Sequence, residues 1–194
     1  MEIGATKAVQ DRLKTTKIEE SKGASLVFCW DTHLTKIKGR NVLFIVNASN
    51  RYTIAMTDIE PRNWNYYTMY ISRVIHGVMQ EMGYSEDQIG QYFKMSGDTI
   101  VTKTHGRKSV GGINRMVMDA QYFGKKLEKE AKYQWELSEY LNRDICQPEG
   151  FDAYGYPSEL FKLDMERLGI ISKRKPAKII DFNKYIDTNR STNH

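Results

Sequence analysis

The sequence predicts an α+β domain, a small and mainly antiparallel sheet with helices packed on one side, followed by a helical C-terminal extension. Three observations point there. An apolar run at Val42–Val46 is flanked by two further extended segments and short polar turns. After Pro61 the apolar residues recur with helical rather than alternating spacing. The 194 residues, 40% hydrophobic and 11% aromatic, suit a globular chain of one core. We place the core domain at 1–145 and the extension, with a basic linker and a mobile tail, at 146–194.

Taken in order, Glu2–Gly4 reads as a short strand, and Thr6 as the cap of a helix to about Lys14. Thr15–Ala24 is polar and reads as a loop. Leu26–Ile37 is extended, Lys38–Asn41 turns, Val42–Asn47 is almost wholly apolar, Ala48–Asn50 turns again, and Arg51–Met56 completes a meander. A strand with no polar face belongs at the centre of a sheet, buried on both sides. Tyr67, Tyr70, Ile71, Val74, Ile75, Val78 and Met82 then line one helix face up to Gly83, which assigns the Asn63–Tyr70 aromatics to the core rather than to base stacking. Ser85 caps a second helix, with Asp87 and Gln88 in its first turn. Thr99–Thr104 alternates as a strand. A helix begins near Ser109 and is read as continuing past a kink at Gly124 to Leu141, and Pro157 opens a last helix through Leu168.

Lys and Arg number 29 against 24 Asp and Glu, a net charge of +5, which tilts the chain towards acidic partners. Residues Lys103 to Lys132 hold eight cations against three acids, an excess equal to that of the whole chain. Cys29 and Cys146 belong to no CxxC pair, so no zinc site or disulfide is expected, and both read as free thiols of a reducing cytosol. No signal arrangement and no run of roughly 18 apolar residues is present. The expected location is cytoplasmic, with no cofactor and no metal.

The stretch with most chemistry is Thr102–Met116, TKTHGRKSVGGINRM. A strand ends in Gly106, and Arg107, Lys108 and Ser109 open a helix whose free N–H groups and dipole favour anions. Two readings stay open, a phosphate site and a simple helix cap in water. The P-loop pattern is not met, because its first Gly is missing and Arg107 separates Gly106 from Lys108. Arg115, Lys125, Lys126 and Lys129 extend the basic face, or else form a solvated helix of i,i+4 pairs. Lys173, Arg174 and Lys175 make a second cluster, a phosphate-contacting arm or a soluble tail. Asp31 and His33 share a strand face and could form an acid/base pair. His33 or His105 with Arg107 supplies the residue types of a metal-independent ribonuclease.

Three stretches, Gly4–Val9, Cys29–Asn47 and Gly106–Met116, together resemble an uncharacterised domain family of bacteria and their phages. Its members look like a TK-containing start, a Trp-containing strand leading to a "VLF" strand, and a late RSVLG-type helix start. This chain departs by inserting Lys108 between Arg107 and Ser109, and by Arg115 where an acid is usual. In kind, size and basicity also resemble phage-borne anti-CRISPR proteins of the type II-A class, which act on Cas9. The resemblance and the basic face imply a protein that binds RNA or a ribonucleoprotein, such as a Cas9–guide RNA complex. The alternatives are an RNA-cleaving enzyme and a non-catalytic protein–protein module.

Overall fold

Val42, Leu43, Phe44, Ile45 and Val46 are all buried, and a strand with two apolar faces needs cover on both. The computed structural model, which describes residues 1–13 and 17–172, supplies it. Strands β1 (Glu2–Ala5), β2 (Cys29–Ile37), β3 (Arg40–Asn47), β4 (Thr53–Thr57) and β5 (Ile100–Thr102) form one sheet in the order β4-β3-β2-β1-β5. The expected meander is present, with β2, β3 and β4 antiparallel. β1 is inserted between β2 and β5 and runs parallel to both.

The α+β class is as expected, but helices cover both faces instead of one. Leu43, Ile45, Ile54 and Trp30 pack with α1 (Lys7–Gln10), α3 (Tyr67–Glu81), α4 (Glu86–Ser96) and α7 (Pro157–Arg167). The alternate residues Val42, Phe44 and Val46 pack with Ile113, Met116 and Ala120 of α5 (Arg107–Gln121) and Leu137 and Leu141 of α6 (Trp135–Asn142). This is the period-two alternation of a central strand read on two sides. A short helix, α2 (Pro61–Asn65), precedes α3. Tyr67 stacks on Trp64 within the core, while Tyr66 stays exposed.

Polar side chains finish what the ladders leave open. α6 covers the β4 edge, where Ser138 Oγ accepts from Ala55 N at 3.0 Å and Asn142 bonds both N and O of Thr53 at 2.8 Å. Trp30 Nε1 donates to Tyr92 O–H at 2.9 Å, which donates onward to Val27 O at 2.7 Å. Phe161 sits among Trp30, Tyr52, Tyr84 and Tyr92, so α7 enters the main core across the boundary placed at 145. Among the described residues no helix is long and apolar enough to cross a membrane.

The Ser85 cap is complete: its hydroxyl accepts from Gln88 N and Gln88 Oε1 accepts from Ser85 N. Ser85→Ala should therefore cost about 1 kcal/mol in urea denaturation. An unchanged midpoint would mean that the cap adds nothing to the folded state.

Candidate functional site

Strand alternation places Ile3, Trp30 and Val101 in the main core and turns Glu2, Gly4, Cys29 and Asp31 to the opposite face. Register aligns Glu2 with Cys29 and Gly4 with Asp31. These polar residues are buried; Glu2 is 2% exposed and Asp31 0%. The chain after β5 then folds back over them, carrying His105 and the start of α5.

His105 lies between two carboxylates. Its Nδ1 is 2.7 Å from Asp31 Oδ1 and its Nε2 is 3.1 Å from Glu2 Oε2, with only 8% of the side chain exposed. The backbone N–H of His105 also donates to Asp31, at 3.2 and 3.3 Å, and Ser109 Oγ donates to Asp31 Oδ2. The other Glu2 oxygen accepts from Lys22 N at 2.7 Å and Ala24 N at 3.3 Å. Burial opposes the charge on His105, but hydrogen bonds to Asp31 and Cys29 and the Asp31 charge outweigh it and push its pKa up to about 10. Burial also works against the Glu2 carboxylate, yet hydrogen bonds from Ser21, His105, Lys22 and Ala24 prevail and hold its pKa below the usual value. The His105 imidazole therefore stays protonated at neutral pH between two ionised carboxylates and ties the start of α5 to β1 and β2.

Gly4 makes this possible. A Cβ there would lie 1.8 Å from Asp31 Oδ1 and 3.0 Å from His105 Nδ1, so only glycine leaves room for the pair. Gly106, at φ 95°, turns the chain into α5 in the left-handed region that favours glycine.

Above this buried cluster, the carboxyl ends of β1 and β5 form a topological switch point. The strands are adjacent and parallel, yet the helices that follow them leave to opposite faces: Val9 of α1 joins the core with Ile45, and Ile113 of α5 joins the other with Phe44. Ligands of α/β sheets bind in the crevice such divergence opens. On the β5 side of that point, a shallow groove of about 420 Å³ runs along the start of α5, lined by Thr104, Gly106, Arg107, Val110, Gly111 and Asn114, all from the one segment that follows β5. No side chain caps α5, so its first-turn N–H groups remain available there.

Residues 2–160 match the model of a family described as a domain of unknown function, DUF6933. The chain belongs to that family. The match spans the buried cluster and the groove. No curated protein and no solved structure matches the chain.

Within this DUF6933 chain the residues singled out from sequence meet different fates. Arg107 is exposed at the first position of α5. Lys108 reaches to Pro148 O at 3.2 Å, and Ser109 serves Asp31 rather than capping its own helix. Arg115 pairs with Asp119 at 3.2 Å and Lys125 with Glu136 at 2.6 Å, both on exposed surface, where such pairs contribute little. Lys126 and Lys129 are exposed in the non-helical 122–134 connection. Lys173, Arg174 and Lys175 lie outside the described residues. Asp31 bonds His105 and not the expected His33, because i and i+2 side chains on a strand stand roughly 6.5–7 Å apart. His33 is half-buried, 3.3 Å from Thr6 Oγ1, and burial lowers its pKa. A general base needs a free ring nitrogen, and His105 has both engaged, which removes it from that role.

Sequence reasoning missed Glu2, Gly4 and Cys29. The one signal available was a carboxylate and a glycine inside a four-residue strand, both unfavourable for a strand unless a partner needs them.

Proposed function

We propose that the protein is a nucleic-acid-binding accessory protein, taking backbone phosphates of RNA or of a ribonucleoprotein in the groove at the start of α5, just past the carboxyl end of β5. The observation that carries this reading is the uncapped N-terminus of the 15-residue α5, with exposed Arg107 at its first position and lining the groove beside it. Amides and an adjacent guanidinium are the donor set that phosphates take. The buried Asp31–His105–Ser109 bonds fix these donors beforehand, which lowers the ordering cost of binding. The exposed cations Lys103, Lys126 and Lys129 add sequence-independent attraction.

The test is binding of a labelled structured RNA, free and within a Cas9–guide complex, at two salt concentrations. The second arm addresses the finer reading of an anti-CRISPR inhibitor. Arg107→Ala should weaken binding several-fold and flatten the log–log salt slope by about 0.7–0.9, the loss of one phosphate contact. Arg115→Ala, whose partner is Asp119, should change the slope less. No binding to either probe at low salt would overturn the proposal, and shortened RNA on a denaturing gel would move the case to an enzyme.

A further inference from the structure

In the buried cluster, three donor atoms of different chemistry meet. Glu2, Cys29 and His105 each offer one ligand atom, and all three atoms lie within 4.8 Å of one another. Each is aimed by a separate bond. Glu2 Oε1 is occupied by Lys22 N and Ala24 N, which leaves Oε2 facing the imidazole. Asp31 takes His105 Nδ1, which leaves Nε2, and this carboxylate–histidine arrangement orients histidine ligands in metalloproteins. Cys29 Sγ has two carbonyl neighbours, Ala24 O at 3.7 Å and Ser25 O at 3.5 Å, and the residue is wholly buried.

We propose that Glu2 Oε2, Cys29 Sγ and His105 Nε2 bind one divalent transition-metal ion, with Asp31 as the outer partner of the histidine. Thiolate, imidazole and carboxylate together select Zn²⁺ over Mg²⁺ or Ca²⁺, which take oxygen ligands. The 3.1 Å between Nε2 and Oε2 is near the edge of a tetrahedron whose metal–ligand distances are about 2.0–2.2 Å. The burial makes the ion a structural clamp of β1, β2 and the 103–106 loop. The inference goes beyond RNA binding and does not depend on it.

The experiment is titration of the chelator-treated full chain with Co²⁺, followed by Zn²⁺ competition. One Co²⁺ per chain should bind with a near-ultraviolet thiolate-to-cobalt band that one equivalent of Zn²⁺ erases. The band should persist in Cys146→Ala and vanish in Cys29→Ser. If Cys29→Ser fails to fold, the band in the wild type and in Cys146→Ala decides alone, since Cys29 is then the sole thiol. Absence of stoichiometric binding, binding without the band, or a band that Cys29→Ser retains would each overturn the site. RNA affinity is not a readout here, so either proposal can fall without the other.

Discussion

Gly4→Ala should cost about 3–5 kcal/mol, although it adds a single methyl group. The new Cβ would lie 1.8 Å from Asp31 Oδ1, 3.0 Å from Asp31 Cγ and 3.0 Å from His105 Nδ1. Overpacking alone accounts for about 1–3 kcal/mol. The remainder follows from where Asp31 would have to go. It is completely buried, and its oxygens accept from His105 and Ser109, so rotating away abandons those donors without reaching water. Gly90→Ala is the matched control, since it sits inside α4 with nothing within 4 Å of an added Cβ. There alanine should stabilise the protein by about 0.5–1 kcal/mol through the backbone entropy of the unfolded chain. Urea denaturation of both variants gives the comparison. Equal midpoint shifts would show that Gly4 does not abut the carboxylate.

The contrast between these two glycines marks what can be read from sequence. Gly90 is legible as a helix residue because Ile89, Tyr92 and the Ser85 cap set a local pattern around it. Gly4 has no such context. Its need comes from residues 31 and 105, and parallel pairing of β1 with β2 and β5 leaves no short turn to announce it. The same division runs through the fold. The β2–β4 meander is legible because its turns are short, and the Val42–Val46 run already implied cover on both faces, at odds with a one-sided helical layer. The helix expected to run from α5 to Leu141 is interrupted at 122–134 despite the helix-favouring Lys, Glu and Leu there. Tertiary bonds override that propensity. Thr57 N donates to Lys132 O at 2.7 Å, Gln134 Nε2 donates to Thr57 Oγ1 at 3.0 Å, and Leu127 is buried against the α5–α6 core. In the candidate site, Arg107 was legible as an exposed cation at a helix start, and His105 and Asp31 as functional residue types. Their bond, which spans 74 positions, has no sequence spacing to reveal it.

Asp31→Ala should be the most damaging single truncation in the cluster, at about 3–5 kcal/mol. Three donors lose their acceptor together: His105 Nδ1–H, the His105 backbone N–H and the Ser109 hydroxyl. The two histidine donors are poorly placed to turn to water, because the His105 side chain is 8% exposed, whereas the half-buried Ser109 hydroxyl can rotate. Asp31→Asn keeps the shape and one acceptor oxygen while removing the charge, so its cost should be smaller, about 1–3 kcal/mol. The difference separates a charge-dependent clamp from simple packing. It should also be visible locally, as faster amide hydrogen exchange at Gly106 and Val110, whose N–H groups bond Thr104 O and Gly106 O, in Asp31→Ala under conditions where the rest of the sheet stays protected. Because these two bonds bracket the free amides of Arg107–Ser109 at the proposed phosphate groove, RNA affinity should fall along with their protection, while the Arg115→Ala protein retains both. If Asp31→Ala unfolds at the wild-type midpoint and the Gly106 and Val110 amides stay protected, then α5 is held by its apolar face alone. The ordering of its N-terminus would in that case owe nothing to the buried histidine.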